Sequence, residues 1–251
     1  GFIWVWPGDP AKANSDDIPH LEWAISDEWA YGGGLYHINC DYRLMIDNLM
    51  DLTHETYVHT SSIGQKEIDE AAVKTRVVDG EVQTSRFMDN VIAPPFWQAN
   101  LRTKGLPDDQ PVDRWQICRF NPPSHVMIDV GVALAGNGGI DAPEDQRVNS
   151  IVVDFITPET ETSHWYFWGM ARNFKPEDAA LTDAIREGQG AIFAEDLEML
   201  ERQQRNLIEF PHYKLLKLDI DAGGVQARRI IDRVLAEEQE ENSNRIASVS
   251  A

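Results

Sequence analysis

Residues 47–59, DNLMDLTHETYVH, combine two histidines with several carboxylates in a segment of helical character. Asp51 lies three residues before His54, so the two side chains can share one helix face. His54 and His59 are separated by about 500° of helical rotation and therefore point roughly 140° apart on a regular helix. The two imidazoles can meet at one ion only if the helix ends, bends or bulges, which we expect near Tyr57.

Two imidazoles and one carboxylate are the protein ligands of many non-heme Fe(II) oxygenases, because three ligands leave positions open for dioxygen. Asp196 is our candidate for the third ligand, since helical periodicity would aim it inward beside Phe193 and Leu197 and turn Glu195 away. The chain has 42 acidic residues, so composition alone does not select it. The simpler alternative is a pair of surface or capping histidines and an acid on a solvated helix.

The elements that must position these residues indicate an α+β fold, with an antiparallel sheet wrapped by helices. Asp79–Gly80 predicts a tight hairpin turn within 72–89, and later strands complete about six. The glycines at 188 and 190 would each cost a helix about 1 kcal/mol, so we expect a break there. Loops are predicted over 11–34, including the triple glycine 32–34, and over 91–113. The remaining predicted elements are strands 115–120, 126–134, 148–157 and 162–174 and helices 177–208 and 225–240.

Composition excludes several classes of function. With 22 Lys+Arg against 42 Asp+Glu, the net charge of −20 argues against binding to nucleic acid or to an anionic membrane surface. Cys40 and Cys118 are far apart and form no CxxC motif, which indicates a reducing compartment and predicts a cytoplasmic protein. The apolar runs are too short to cross a bilayer.

The segment 47–59 resembles the iron-binding helix of Rieske-type aromatic-ring oxygenases, and more narrowly that of vanillate O-demethylase oxygenase components. The resemblance implies a helix-grip-like catalytic domain in which His54, His59 and Asp196 hold the iron. It also implies that Asp51 hydrogen-bonds a histidine ligand of a neighbouring subunit's Rieske cluster, and that Asn48 lies close to the metal. It covers essentially the whole chain, with further runs at 61–70, 88–97, 154–159, 167–174 and 193–198.

The resemblance implies an oxidative O-demethylation, in which dioxygen and electrons convert vanillate or a similar methoxybenzoate into protocatechuate and formaldehyde. Electrons would come from NADH through a separate flavin and iron–sulfur reductase, and the subunits would form a homotrimer. Two other functions remain open from the residues alone. One is a helix-grip module that binds aromatic ligands without catalysis; the other is a zinc hydrolase, which the HxxxxH spacing disfavours because it is not HExxH.

The resemblance further implies that residues 1–13 are the end of a Rieske domain and its linker, followed by a mononuclear-iron catalytic domain over 14–251. A Rieske [2Fe–2S] cluster needs two cysteines and two histidines, usually arranged as CxH and CxxH. Cys40 and Cys118 lie in neither pattern. We therefore expect that cluster in a longer protein and not in this chain.

Substrate contacts are predicted in the aromatic run 163–168. Alternate residues of a strand face opposite sides, so either His164 and Tyr166 or Trp165 could line a flat aromatic pocket. Ordinary sheet packing is the alternative for all three. Three arginines on or near predicted strands could pair with an anionic benzoate, or could instead form structural ion pairs: Arg86, Arg119 and Arg172.

Overall fold

The computed structural model describes residues 2–249, including their side chains except at 242 and 244–249. Its centre is one seven-stranded antiparallel sheet in the order β1-β7-β6-β5-β4-β3-β2, so strands β2 to β7 form a meander and β1 closes its far edge. This confirms the α+β prediction with one strand more than expected. The strands are β1 (Ala30–Ile38), β2 (Val73–Val78), β3 (Glu81–Ile92), β4 (Pro111–Asn121), β5 (His125–Leu134), β6 (Arg147–Thr160) and β7 (Ser163–Arg172).

Helices cover one face of the sheet and enclose the main hydrophobic core with it. In β3, buried residues alternate with more exposed ones, as the period of a half-buried strand requires. In β4, residues 114–118 are all buried, so both faces of that strand are covered. In the described part of the chain, none of the helices is both long and apolar enough to cross a membrane. The helices are α1 (Glu22–Ile25), α2 (Tyr42–Met50), α3 (Glu55–Val58), α4 (Pro95–Lys104), α5 (Ala179–Glu209) and α6 (Ala222–Val249).

The hairpin between β2 and β3 turns where the sequence predicts it. Asp79 and Gly80 both have left-handed backbone conformations, with φ of 50° and 86°. Two successive residues of this kind match the twist of the flanking strands. By contrast, the loop predicted over 91–113 contains α4, which begins at Pro95, a position in the first turn where proline costs no hydrogen bond.

Two further predictions from the sequence are wrong at positions where the backbone packs against Trp168 on β7. The triple glycine lies inside β1 and not in a loop, and a Cβ on Gly34 would lie 2.5 Å from the Trp168 indole. Helix α5 runs through the glycines at 188 and 190 without a break, and a Cβ on Gly190 would lie 3.0 Å from the same indole. These glycines let backbone approach a large side chain closely, which local propensity does not reveal.

Candidate metal centre

The helical run that carries the two histidines is interrupted at residues 51–54. Helix α2 ends at Met50, and Asp51 is extended with φ −94° and ψ 117° before the chain re-enters a single helical turn, α3. The Asp51 carboxylate accepts hydrogen bonds from the backbone N–H and the hydroxyl of Thr53, each 2.7 Å long. The prediction that the helix ends near Tyr57 is confirmed, because α3 stops at Val58 and His59 has left the helical conformation, with φ −105° and ψ 35°. The interruption before His54 was not predicted.

Three potential ligand atoms from two distant parts of the chain converge beside this break. The His54 Nε2 and His59 Nε2 atoms are 3.3 Å apart. Asp196 Oδ1, from α5, lies 3.6 Å from the first and 3.4 Å from the second. Within the described residues, this is the group of ligand-type side chains that could hold a metal ion.

The triangle fits a divalent metal ion. A point near its centre is about 2 Å from each of the three atoms, the usual length of a bond from such a metal to imidazole nitrogen or carboxylate oxygen. Asp196 is 3% exposed, and its Oδ1 atom has no hydrogen-bond partner among the described residues. A buried carboxylate oxygen without a partner is costly unless a cation satisfies it.

The charges around the triangle favour a cation. Burial lowers the pKa of both imidazoles, but the neighbouring carboxylates outweigh it and raise the pKa of His54 and of His59 above the ordinary value. Asp196 acts on both rings, while Asp51 adds to the effect at His54 and Glu195 adds to it at His59. The surrounding carboxylates therefore favour positive charge at this point.

Glu195 fixes the orientation of His59. The His59 Nδ1–H donates to Glu195 Oε2 over 2.6 Å, which leaves Nε2 free to face His54 and Asp196. The sequence prediction that Glu195 turns away is wrong, because adjacent residues of α5 flank the imidazole from two directions. A carboxylate on the far nitrogen of a histidine sets its tautomer and increases its basicity as a ligand.

We expect Glu195→Gln to weaken metal binding by about 10-fold or more, because the amide keeps an acceptor oxygen for His59 but removes the negative charge. Anaerobic titration with Fe(II) measures the change in Kd. Glu198→Gln is the matched control, since Glu198 lies on the same helix but is exposed and pairs with Arg202. Equal affinities in both variants would contradict the orienting role of Glu195.

The triangle lies on the wall of a cavity with about 660 Å³ of space, part of it open to solvent. Asn48, which the resemblance places near the metal, lies on the same wall, and so does Asp51. Most of the lining is apolar and comes from the helices and the inward sheet face, including Leu49, Phe96, Trp97, Ile128, Val152 and Phe193.

The residues predicted as substrate contacts do not lie among those that line this cavity in the described chain. The buried His164 donates from Nδ1 to the carbonyl of Cys40 over 2.9 Å. The Tyr166 hydroxyl donates to Asp154 over 2.6 Å, and Trp165 packs on His37 at the outer face. The prediction therefore needs correction, because the register of β7 directs these side chains into the core or outward.

The Asp154 that accepts from Tyr166 is itself fully buried. Burial raises the pKa of this carboxyl to about 8, with a smaller contribution from Asp196, while the hydrogen bond from Tyr166 opposes the rise. The Tyr166 ring packs edge-on against Phe193, which lines the cavity. Tyr166 thus supports the cavity wall from behind and does not form its surface.

A buried ionic cluster supports the other side of the site. Glu55, the residue after His54, accepts from Arg86 over 2.7 Å and from Gln116 over 2.7 Å. Arg114 lies 3.3 Å from the second oxygen of the same carboxylate. Arg86 also donates to the carbonyl of Leu52. The cluster therefore ties the break and the start of α3 to strands β3 and β4.

The three arginines named from the sequence are structural. Arg86 belongs to this cluster, Arg119 lies 3.8 Å from Glu81, and Arg172 donates to the carbonyls of Lys175 and Asp178. Arg114, which the sequence analysis missed, lines the cavity. The sequence feature that could have identified Arg114 is a charged residue at an inward position of a strand.

Several known proteins resemble this chain in sequence or in fold. Residues 38–237 match the family model described as the vanillate O-demethylase oxygenase C-terminal domain. The vanillate O-demethylase oxygenase subunit of Pseudomonas sp. (strain HR199 / DSM 7063) is 73% identical over 96% of this chain and 68% of its own length.

Crystal structures of dicamba monooxygenase share the fold. The complex with 3,6-dichlorosalicylic acid has a TM-score of 0.85 at 30% identity, covering 94% of this chain and 68% of that one. The complex with non-heme iron and dicamba has a TM-score of 0.75 at 29% identity, covering 95% and 67%.

The fold and the His–His–Asp group thus define the catalytic domain of a Rieske-type non-heme iron oxygenase. Within that class, the chain belongs to the family of vanillate O-demethylase oxygenase C-terminal domains.

Proposed function

We propose that this chain is the iron-containing catalytic domain of an aromatic O-demethylase whose first candidate substrate is vanillate, with protocatechuate and formaldehyde as products. The observation that carries this proposal is the convergence of His54, His59 and Asp196 within 3.6 Å of one another on the wall of a largely apolar cavity. The name of the Pseudomonas relative supports the substrate.

Metal binding, orientation of a ligand and exclusion of water are assigned to different residues of the site. Ferrous iron held by His54, His59 and Asp196 would supply the activation of dioxygen. Glu195 keeps His59 oriented, and Asp196 supplies the negative charge that a buried divalent ion needs. The apolar walls hold the aromatic ring and exclude water, so the methoxy carbon can be placed beside the metal without competing solvent.

Electron supply requires partners. A reductase component with flavin and an iron–sulfur centre would take electrons from NADH, and a Rieske [2Fe–2S] cluster would pass them to the iron, in an assembly that we propose to be a homotrimer. We also keep the division at residues 13 and 14 as a proposed domain boundary. The position of Asp51 supports electron entry at this point, because it lines both the cavity and a separate outer groove with Asn48.

Asp51→Asn is expected to slow electron entry by at least about 10-fold in a longer version that contains the cluster domain, because the amide lacks the charge that would hold a protonated histidine of the cluster. Iron content and vanillate affinity should stay unchanged. Stopped-flow oxidation of the reduced cluster measures the rate. Asp69→Asn, at an exposed acid that accepts from Thr56, is the control. Identical rates in the two variants would refute the bridging role.

The reaction itself can be tested on this chain with hydrogen peroxide, which supplies both the oxygen atom and the two electrons. One vanillate and one peroxide then yield one protocatechuate, one formaldehyde and one water. We expect equal amounts of the two organic products from the iron-loaded chain and none from Asp196→Ala. An iron-loaded chain that binds vanillate but releases no formaldehyde would instead favour a non-catalytic ligand-binding module.

A further inference from the structure

The ionic cluster beside the cavity has more positive than negative charge. It contains two guanidinium groups, those of Arg86 and Arg114, and one carboxylate, that of Glu55. The side chains are 0%, 1% and 4% exposed, so solvent does little to screen them. In the described chain, no second carboxylate lies within ion-pair distance of either arginine. The cluster therefore carries a net buried charge of +1, which an anion could compensate.

Arg114 has unused hydrogen-bonding capacity within this cluster. Its Nη1 atom donates to the carbonyl of Ile63 over 3.1 Å and to Gln65 over 2.6 Å, and Nη2 contacts Glu55. Its Nε atom is buried and has no partner among the described residues. A guanidinium offers five N–H donors, so at least one of them is unsatisfied here. Arg86, by comparison, uses all three of its nitrogen atoms.

Arg114 is also placed to meet a ligand. Among the described residues that line the cavity, it is the one lysine or arginine. It occupies an inward position of β4, followed on the same face by Gln116 and Cys118 and then by the apolar wall. Burial lowers the pKa of its guanidinium to about 10, so the group stays charged at neutral pH.

We propose that Arg114 recognises the carboxylate of the aromatic acid and thereby makes the cavity selective for anionic ligands. This inference rests on the proposed function and names the group that orients its substrate. The carboxylate lies toward β4 and neutralises the excess charge of the cluster, while the ring lies along the apolar wall toward the triangle of ligands. A chain with a net charge of −20 repels anions overall, so a local cation is needed to admit one.

The test compares two ligands that differ only in charge. Vanillate and its neutral amide, vanillamide, are titrated anaerobically into the iron-loaded chain, and binding is followed by calorimetry. We expect the wild-type chain to prefer vanillate by about 10-fold or more, the effect of a charged hydrogen bond in a buried site. In Arg114→Gln that preference should vanish through weaker vanillate binding, while the affinity for vanillamide changes by less than about 3-fold.

Two further variants separate recognition from structure. Arg119→Gln removes an arginine from the same strand that does not line the cavity, and it should keep the wild-type preference. Arg114→Lys keeps the charge but loses the planar fork, so it should retain part of the preference. If Arg114→Gln does not fold, the lysine variant carries the test, and unchanged affinity for both ligands in it would overturn the proposal.

The inference is also overturned if folded, iron-loaded Arg114→Gln still prefers vanillate by the wild-type factor, or if the wild-type chain binds both ligands equally. Failure of the proposed function has a different signature, since the iron-loaded wild-type chain would then release no formaldehyde with peroxide, whatever its ligand preference. Failure of the inference alone leaves formaldehyde release intact and abolishes only the discrimination between acid and amide.

Discussion

Replacing His54 with alanine is expected to remove stoichiometric iron from the chain while leaving the fold intact. The substitution takes one corner from a triangle whose sides are 3.3 to 3.6 Å and leaves two ligands, which bind a divalent ion poorly. We expect affinity to fall by more than about 100-fold, beyond the loss that follows removal of a group hydrogen-bonded to a ligand. Metal analysis after anaerobic loading and desalting should give near one iron per wild-type chain and near none in the variant.

His212→Ala is the control for this experiment, because His212 is exposed and does not belong to the triangle. It should retain the iron of the wild type. Circular dichroism of His54→Ala should match the wild-type spectrum, because the fold is held by the sheet and its core and not by the ion. Full iron content in a folded His54→Ala chain would reject the assignment of His54 as a ligand.

Glu55→Ala is expected to have the largest effect on stability, a loss of about 3–5 kcal/mol in the free energy of unfolding. The carboxylate is buried between Arg86 and Arg114, and its removal leaves two guanidinium groups facing one another without compensation. It also removes an acceptor from Gln116. Urea unfolding followed by tryptophan fluorescence measures the change.

The control is Glu198→Ala, which breaks an exposed ion pair with Arg202 on the surface of α5. Exposed pairs of this kind contribute little, so this variant should lie within about 0.5 kcal/mol of the wild type. Glu55 directly follows His54, so partial unfolding around it should also lower iron content. A Glu55→Ala chain as stable as the Glu198→Ala chain would show that the cluster does not hold α3 in place.

Much of the sheet could be predicted because alternation along a strand is a local property. The hairpin at Asp79–Gly80 follows from two residues that tolerate a left-handed backbone. The strand at the triple glycine and the unbroken course of α5 could not be predicted locally. Gly34 and Gly190 pack against Trp168, which is distant in sequence from β1 and on another element from Gly190. Local rules treat such glycines as breaks, whereas here they allow close packing.

The same limit applies to the site. Spacing shows that His54 and His59 need a break between them, and the end of α3 at Val58 supplies it. Nothing local distinguishes Asp196 from 41 other acids; a family resemblance selects it. Glu195 and Arg114 were misjudged or missed because their roles arise from contacts with partners far away in sequence, such as the one from Glu195 to His59. Helical and strand periodicity predicts which face of an element a residue occupies, but not which distant residues it contacts there.

The most direct test of the central claim is anomalous diffraction at the iron edge from crystals of the chain loaded anaerobically with Fe(II). We expect one strong peak at about 2 Å from each of His54 Nε2, His59 Nε2 and Asp196 Oδ1. A peak elsewhere, or a metal bound to the two histidines with Asp196 beyond bonding distance, would contradict the account.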